Sequence, residues 1–154
     1  MKFATAIAVL ATFAVSSASA QFTNLTTSTS NPVKYDGANY AISPFPMCVG
    51  KPFCLTSTGT LLSPIVEGAK YSITGRYLGR LLYTDNHDLC SLLAASGTPC
   101  PVAAGAFNFN LCVPLKNNFP PNVGLMFQYL ATNGNGDLLI GQKTTSNMLA
   151  VVCP

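Results

Sequence analysis

The chain has 154 residues, of which 49% are apolar and only 8% are charged, and its formal net charge is +3 at pH 7. A soluble domain usually carries about a quarter charged residues, so this composition indicates much apolar surface to bury. The few basic residues are scattered rather than clustered, which argues against nucleic acid as a partner.

The N-terminus is typical of a secretory signal peptide over residues 1–20. Lys2 supplies the charged start, residues 3–15 form an apolar run, and Ala-Ser-Ala at 18–20 matches a cleavage site. The apolar run is shorter than the roughly 20 residues that span a bilayer. We therefore expect cleavage and a soluble product, either secreted or in the lumen of the secretory or vacuolar pathway.

The segment after the predicted cleavage site is polar. Residues 21–35 are interpreted as a loosely held N-terminal leader, with structure beginning near Lys34 and one domain over residues 36–154. Asn24 begins an Asn-Leu-Thr sequon and is the predicted glycosylation site.

Short β-rich runs, broken by Gly, Pro and Asn, follow one another through the rest of the chain. Alternation is clearest over 107–115, where every second side chain is apolar. This pattern is typical of an all-β sandwich or barrel. The predicted strands cover residues 38–43, 53–61, 70–78, 80–84, 106–115, 123–132, 137–145 and 148–152.

Two local signals interrupt the strands. Asn-Gly-Asn-Gly at 133–136 predicts a tight hairpin, because Asn and Gly tolerate positive φ. Residues 88–95 carry leucines at helical spacing, with Asp85 and Asp88 as candidate caps. A short helical turn is expected there, ending before Gly97.

All six cysteines follow the predicted signal peptide, which implies three disulfides. Six cysteines allow 15 pairings, and their spacing alone does not choose among them. Zinc is the competing interpretation, but no close Cys-x-x-Cys pair exists, so no metal site is predicted. The cysteines are Cys48, Cys54, Cys90, Cys100, Cys112 and Cys153.

Catalytic machinery is missing from the sequence. His87 is the sole histidine, and it is interpreted as an exposed residue in a turn over 84–88. No Gly-x-Ser-x-Gly motif or phosphate-binding glycine loop occurs. We predict that the protein is not an enzyme and needs no cofactor. The acidic residues, interpreted as turn or strand-edge positions, are Asp36, Glu67, Asp85, Asp88 and Asp137.

The apolar excess has two interpretations. If two sheets pack tightly, these side chains form an ordinary core, and composition alone favours this case. If the sheets part, the same side chains line a cavity suited to a lipid, since such binding needs buried area rather than reactive groups.

Several motifs bear on this choice. Residues 88–90 and Gly-Thr-Pro-Cys-Pro-Val at 97–102 precede an aromatic alternating strand and Asn-Phe-Pro-Pro at 118–121. Upstream, Ile-Ser-Pro at 42–44 precedes the first two cysteines, and Thr-Gly-Thr-Leu at 58–61 and Ile-Val-Glu-Gly-Ala at 65–69 follow them. Over residues 36–150 the chain resembles the ML lipid-recognition family, which includes Niemann-Pick C type two sterol carriers and phosphatidylglycerol/phosphatidylinositol transfer proteins.

The resemblance implies an immunoglobulin-like β-sandwich of about seven or eight antiparallel strands, stapled by disulfides, with an internal apolar lipid cavity. By position it pairs Cys90 with Cys100 and Cys48 with Cys54, which leaves Cys112 for Cys153. The family's usual staple between an early and a late strand is absent, because residues 35–37 and 139–141 hold no cysteine. The Cys112–Cys153 bridge is expected to take its place.

The function implied is a monomeric carrier that binds one sterol, phosphatidylinositol or phosphatidylglycerol and transfers it between membranes through transient membrane contact. Lys51, Arg76 and Arg80 are candidates to favour anionic head groups. The rival interpretation is a secreted interaction module with a filled core that recognises another protein. The predicted lining residues are Tyr71, Ile73, Tyr77, Phe107, Phe109, Leu111, Val113, Phe127, Tyr129 and Ile140.

Overall fold

The computed structural model describes residues 21–22 and 25–154, so the predicted signal peptide and Asn24 lie outside the described residues. The elements are β1 (Gln21–Phe22), β2 (Leu25–Thr27), β3 (Tyr35–Ser43), β4 (Met47–Cys48), β5 (Pro52–Leu61), β6 (Lys70–Tyr77), β7 (Arg80–Asp88), α1 (Leu89–Ala95), β8 (Gly105–Pro114), β9 (Met126–Thr132), β10 (Leu138–Thr144) and β11 (Ala150–Val151).

The strands form two main sheets. One sheet has the order β1-β3-β5-β8, and the other has the order β2-β10-β9-β6-β7. Neighbours in both sheets are antiparallel, while β4 and β11 form a separate parallel pair. The all-β, disulfide-stapled sandwich predicted from the sequence is confirmed. Its apolar inner faces meet in one buried cluster.

All eight predicted strands are present, with ends shifted by a few residues in most cases. The short strands β1, β2 and β4 were not predicted. Gln21 and Phe22 pair with β3, and Leu25–Thr27 pair with β10. The prediction that structure begins near Lys34 is therefore wrong, because these residues pair with strands of both sheets.

Helix α1 occurs where helical spacing predicted it. Asp88 is the N-cap, and its Oδ1 accepts a hydrogen bond from the Ser91 backbone N–H at 2.7 Å. The other candidate cap, Asp85, lies within β7 instead. Gly97 has a φ of 89°, a left-handed conformation that suits glycine after a helix end. The seven residues of α1 are far fewer than a bilayer requires, and no helix among the described residues is long and apolar enough to cross a membrane.

The predicted hairpin between β9 and β10 is confirmed and is also docked onto the preceding loop. The buried side chain of Asn133 accepts hydrogen bonds from the backbone N–H groups of Val66 and Gly134, each at 2.9 Å. It donates to the Pro64 carbonyl at 2.8 Å. Gly136 takes the positive φ of 92°. Gly134 serves a different purpose, because a Cβ there would collide with the Glu67 carbonyl oxygen.

All six cysteines are disulfide-bonded, and the pairs are Cys48–Cys153, Cys54–Cys112 and Cys90–Cys100. The Cys90–Cys100 prediction is confirmed. The other two expected pairings, Cys48–Cys54 and Cys112–Cys153, are wrong. Cys54 and Cys112 stand directly opposite each other on β5 and β8, while Cys153 follows β11, the partner of β4. Strand adjacency, rather than closeness in sequence, decides the pairing.

Candidate functional site

Most of the predicted lining residues lie buried between the two sheets. On the β6-β9-β10 side, registered pairs such as Ile73 with Tyr129 place side chains on one inner face. Phe107 is half-buried and packs edge-on against Phe109, with ring centroids 4.9 Å apart. Their contact with a lipid stays a prediction. The fully buried members are Tyr71, Ile73, Phe109, Leu111, Val113, Phe127, Tyr129 and Ile140.

Tyr77 is the exception, and its prediction as a lining residue is wrong. Its side chain is 44% exposed. Strand β6 pairs with β9 only as far as Arg76 and Met126, so Tyr77 lies beyond the end of the neighbouring strand. The register of β6 with β7 also shifts between Gly75 and Arg76, so the regular pairing that buries Tyr71 and Ile73 ends before Tyr77.

Further aromatic side chains belong to the same interior and were not among the predicted lining residues; Tyr35, Tyr83 and Phe119 are examples. Tyr83 packs edge-on against Phe119 at a centroid distance of 5.0 Å, and Phe119 stacks on Phe127 at 5.8 Å. Tyr35 packs edge-on against Phe109 at 4.6 Å. Tyr83 lies in the predicted strand over residues 80–84, so alternation along that strand could have indicated that Tyr83 faces inward. Phe119 follows no strand period, and only tertiary packing brings it inward.

Two buried tyrosines carry hydroxyl groups without a hydrogen-bond partner among the described residues. Tyr71 and Tyr129 are each 1% exposed or less, and neither hydroxyl is bonded. Burial raises the pKa of both, so both stay protonated and retain a donor at neutral pH. Buried polar groups are normally paired. The inner face therefore holds two hydroxyl groups that can still donate a hydrogen bond, within an otherwise apolar surface.

A charged cluster lies at the edge of the interior on β7. The register of β6 and β7 places Asp85 opposite Ile73 and His87 opposite Tyr71, so both face inward. Asp85 Oδ1 lies 2.6 Å from Lys116 Nζ, and its Oδ2 lies 2.9 Å from His87 Nε2. The Asp85 side chain is 2% exposed and that of Lys116 is 47% exposed. The cluster thus runs from the interior to the surface.

The electrostatics of Asp85 follow from these contacts. Burial raises its pKa, but the hydrogen bonds and charges of Lys116 and His87 lower it, and the net pKa lies below its usual value. The Tyr83 hydroxyl donates to Asp85 Oδ2 at 3.3 Å. Burial raises the pKa of Tyr83 to about 12, so this donor is kept at neutral pH. Asp85 is therefore a buried carboxylate held by several donors.

Two sequence interpretations are corrected by this cluster. The sequence predicts Asp85 as a turn or strand-edge residue and His87 as an exposed turn histidine. Strand β7 instead continues to Asp88, which turns both side chains onto the inner face. No three His, Cys, Asp or Glu side chains of the described residues are grouped to hold a metal ion.

A surface pocket of about 440 Å³ adjoins the cluster. It is lined by Lys70, Asn86, His87 and Asp88, at the end of the β6–β7 pair where α1 begins. Its volume lies within the range of small-molecule sites. His87 both lines this pocket and contacts Asp85, so it connects the pocket with the charged edge of the interior.

Comparison with known proteins shows which family this chain matches. The model of the ML domain matches residues 19–139. A phosphatidylglycerol/phosphatidylinositol transfer protein of Yarrowia lipolytica is 30% identical over 81 residues, which cover 53% of this chain and 43% of that protein. The alignment thus spans less than half the length of this relative.

Two solved structures share the fold. A Niemann-Pick type C2 protein from the Japanese carpenter ant superposes with a TM-score of 0.59 at 12% identity, covering 77% of this chain and 96% of the ant protein. Chicken MD-1, complexed with lipid IVa, superposes with a TM-score of 0.55 at 14% identity, covering 82% of this chain and 98% of MD-1. At these identities the likeness concerns the fold.

Proposed function

We propose that this chain, which belongs to the ML-domain family, is a secreted or lumenal lipid carrier. It holds one sterol or phospholipid between its sheets and transfers it between membranes as a monomer, without an enzymatic step. The observation that carries the proposal is the match to the ML domain on a sandwich whose inner faces are apolar and aromatic. The transfer protein of Yarrowia and lipid-bound MD-1 support a lipid as the ligand.

The free energy gained by burying the apolar surface of a lipid is large enough for such binding. Burying about 400 Å² of an acyl chain or sterol at roughly 25 cal/mol per Å² contributes on the order of 10 kcal/mol before entropic costs. The sheets need only separate enough to admit the ligand. Phe107, half-buried on the edge strand β8, is the predicted lining residue most able to move aside.

The polar groups of the site suit the polar part of a lipid. Tyr71 and Tyr129 offer donors inside, while Lys70 and His87 line the 440 Å³ pocket beside the charged edge. We propose that a head group lies at this pocket, with the apolar part of the lipid inward. An anionic phospholipid would gain from Lys70 there, the one Lys or Arg among the pocket's lining residues, which also include Asp88. The relative's name, which specifies phosphatidylglycerol and phosphatidylinositol, favours the same class.

The test is native mass spectrometry of the purified protein, followed by organic extraction and identification of whatever is released. A stoichiometric lipid is the expected result and would identify the cargo. A protein that stays empty after incubation with vesicles containing sterol and phosphatidylinositol would contradict the proposal. That outcome would favour an interaction module with a filled core.

A matched pair of variants locates the ligand. Phe107→Ala removes a half-buried ring from the proposed lining, while Leu62→Ala removes a side chain that is 60% exposed. Displacement of a fluorescent lipid should show weaker binding for Phe107→Ala and unchanged binding for Leu62→Ala. Equal affinities for the two variants would place the lipid elsewhere.

A further inference from the structure

The turn between β6 and β7 concentrates exposed apolar side chains. We call residues 77–82 the apolar tip. Of seven large hydrophobic residues exposed on the described surface, four belong to these six positions. Leu78 is 85% exposed, and the others are Tyr77 at 44%, Leu81 at 50% and Leu82 at 47%. Exposed apolar residues occur singly on most soluble proteins, so such a cluster indicates an interaction site.

The conformation of the turn strengthens this point. Tyr77 pairs with Arg80, which leaves Leu78 and Gly79 as a two-residue loop. Leu78 has a φ of 46° and Gly79 a φ of 82°. Turns of this kind strongly prefer Asn-Gly, because a bulky side chain at positive φ costs on the order of 1 kcal/mol or more. Leu78 makes little contact within the fold to offset that cost.

The charge around the apolar tip is of one sign. Arg76 and Arg80 flank the turn, and the chain carries no acidic residue from Gly68 to Thr84. Arg76 Nη1 donates to the Gly79 carbonyl at 3.0 Å, which keeps its guanidinium beside the turn. Two cations beside exposed leucines complement a surface that is negatively charged outside and apolar beneath.

We propose that the apolar tip docks the protein on a membrane containing anionic phospholipid. Leu78, Leu81 and Leu82 enter the interface between head groups and acyl chains, and the two arginines contact lipid phosphates. A six-residue tip is small beside the roughly 20–30 residues per side of a standard protein interface, which favours a lipid surface over a protein partner. The inference deepens the proposed function, on which it rests for the membrane encounter, and it places the docking surface at the opposite end of the β6–β7 pair from the proposed head-group pocket.

The test is flotation of the full secreted protein with vesicles of phosphatidylcholine, with and without phosphatidylglycerol. Leu78→Asn places the residue that the turn prefers at the tip, so folding stability should stay equal or rise. Binding should nevertheless fall about tenfold, because one leucine no longer enters the membrane. Leu62→Asn, at another exposed leucine, is the matched control and should bind as the wild type does.

Charge is tested separately with Arg80→Gln, which spares the Arg76 hydrogen bond to the turn. Binding to vesicles with phosphatidylglycerol should fall about fivefold, and binding to phosphatidylcholine alone should not change. Equal flotation of wild type and Leu78→Asn would overturn the proposal. Sedimentation showing that the wild type dimerises, and that Leu78→Asn does not, would instead assign the tip to a second copy of the chain.

The lipid content of the same samples separates this inference from the proposed function. A Leu78→Asn protein that retains its lipid in native mass spectrometry but fails to float supports both. A wild type that carries lipid, yet floats independently of Leu78, overturns only the docking surface. A wild type that floats through Leu78 but never holds lipid overturns only the carrier function.

Discussion

The ion pair between Asp85 and Lys116 can be broken by a variant at either residue, and we expect the two variants to lose different amounts of folding stability. Lys116→Met leaves the carboxylate of Asp85, which is 2% exposed, without its cation. Asp85→Asn leaves Lys116, which is 47% exposed and able to turn into water. Although both variants remove the same ion pair, only the first strands a buried charge. Lys116→Met should therefore destabilise the fold more.

The magnitudes follow from the geometry. Stranding one member of a fully buried pair costs about 3–5 kcal/mol; because Lys116 is half-exposed, we expect about 2 kcal/mol for Lys116→Met. Asp85→Asn keeps an acceptor and loses charge-assisted bonds, a cost of about 1 kcal/mol. Urea unfolding at pH 7 measures both. The reasoning is refuted if Asp85→Asn proves the more destabilising variant.

The pH dependence provides a second measurement of the same pair. The folded pKa of Asp85 lies below its unfolded value of about 4, so its stabilisation is fully present above that pH. The stabilisation is lost as the pH falls through the folded pKa. In Lys116→Met the stranded carboxylate is protonated more easily, so the destabilisation should be smaller at acid pH than at pH 7. If the difference in unfolding free energy between the wild type and Lys116→Met did not change with pH, charge would not be its cause.

Three further predictions concern the packing. Tyr129→Phe should leave the urea midpoint unchanged or raise it, since its buried hydroxyl has no partner; a loss above about 1 kcal/mol would mean that the hydroxyl is bonded. Gly134→Ala should lower the melting temperature, because the new Cβ meets the Glu67 carbonyl, and an unchanged melting curve would contradict this close approach. Replacing Cys90 and Cys100 with Ser opens a loop closed over a separation of 10 residues. We expect a loss of about 3 kcal/mol in the chain-entropy model, measured by urea unfolding with the oxidised wild type as reference.

Local sequence patterns were sufficient for much of the fold. The two-residue alternation over β8 correctly placed Phe109, Leu111 and Val113 on the inner face. The cap at Asp88 and the turn at 133–136 were also found, because each depends on residues close together in the chain. Nine of the ten predicted lining residues are buried or half-buried for the same reason.

The errors concern features that depend on distant partners. Alternation predicted a buried Tyr77, but β9 begins at Met126, opposite Arg76, and Tyr77 is 44% exposed. Asp85 appeared to be a surface residue because its partner Lys116 is 31 positions away, in the segment after β8. Edge strands β1 and β2 escaped prediction because two or three residues are too few to show a period.

The strand periods and the cysteine count predicted a disulfide-stapled all-β sandwich or barrel, and the resemblance carried by the motifs around Cys90 and Cys100 implied the sandwich and its family. The pairing of the cysteines, the burial of charges and the exposure of apolar residues at the tip became known from the folded chain alone. The physical reason is that period and turn chemistry act between neighbours in the chain. Disulfides, buried ion pairs and exposure depend instead on which strands the fold brings side by side.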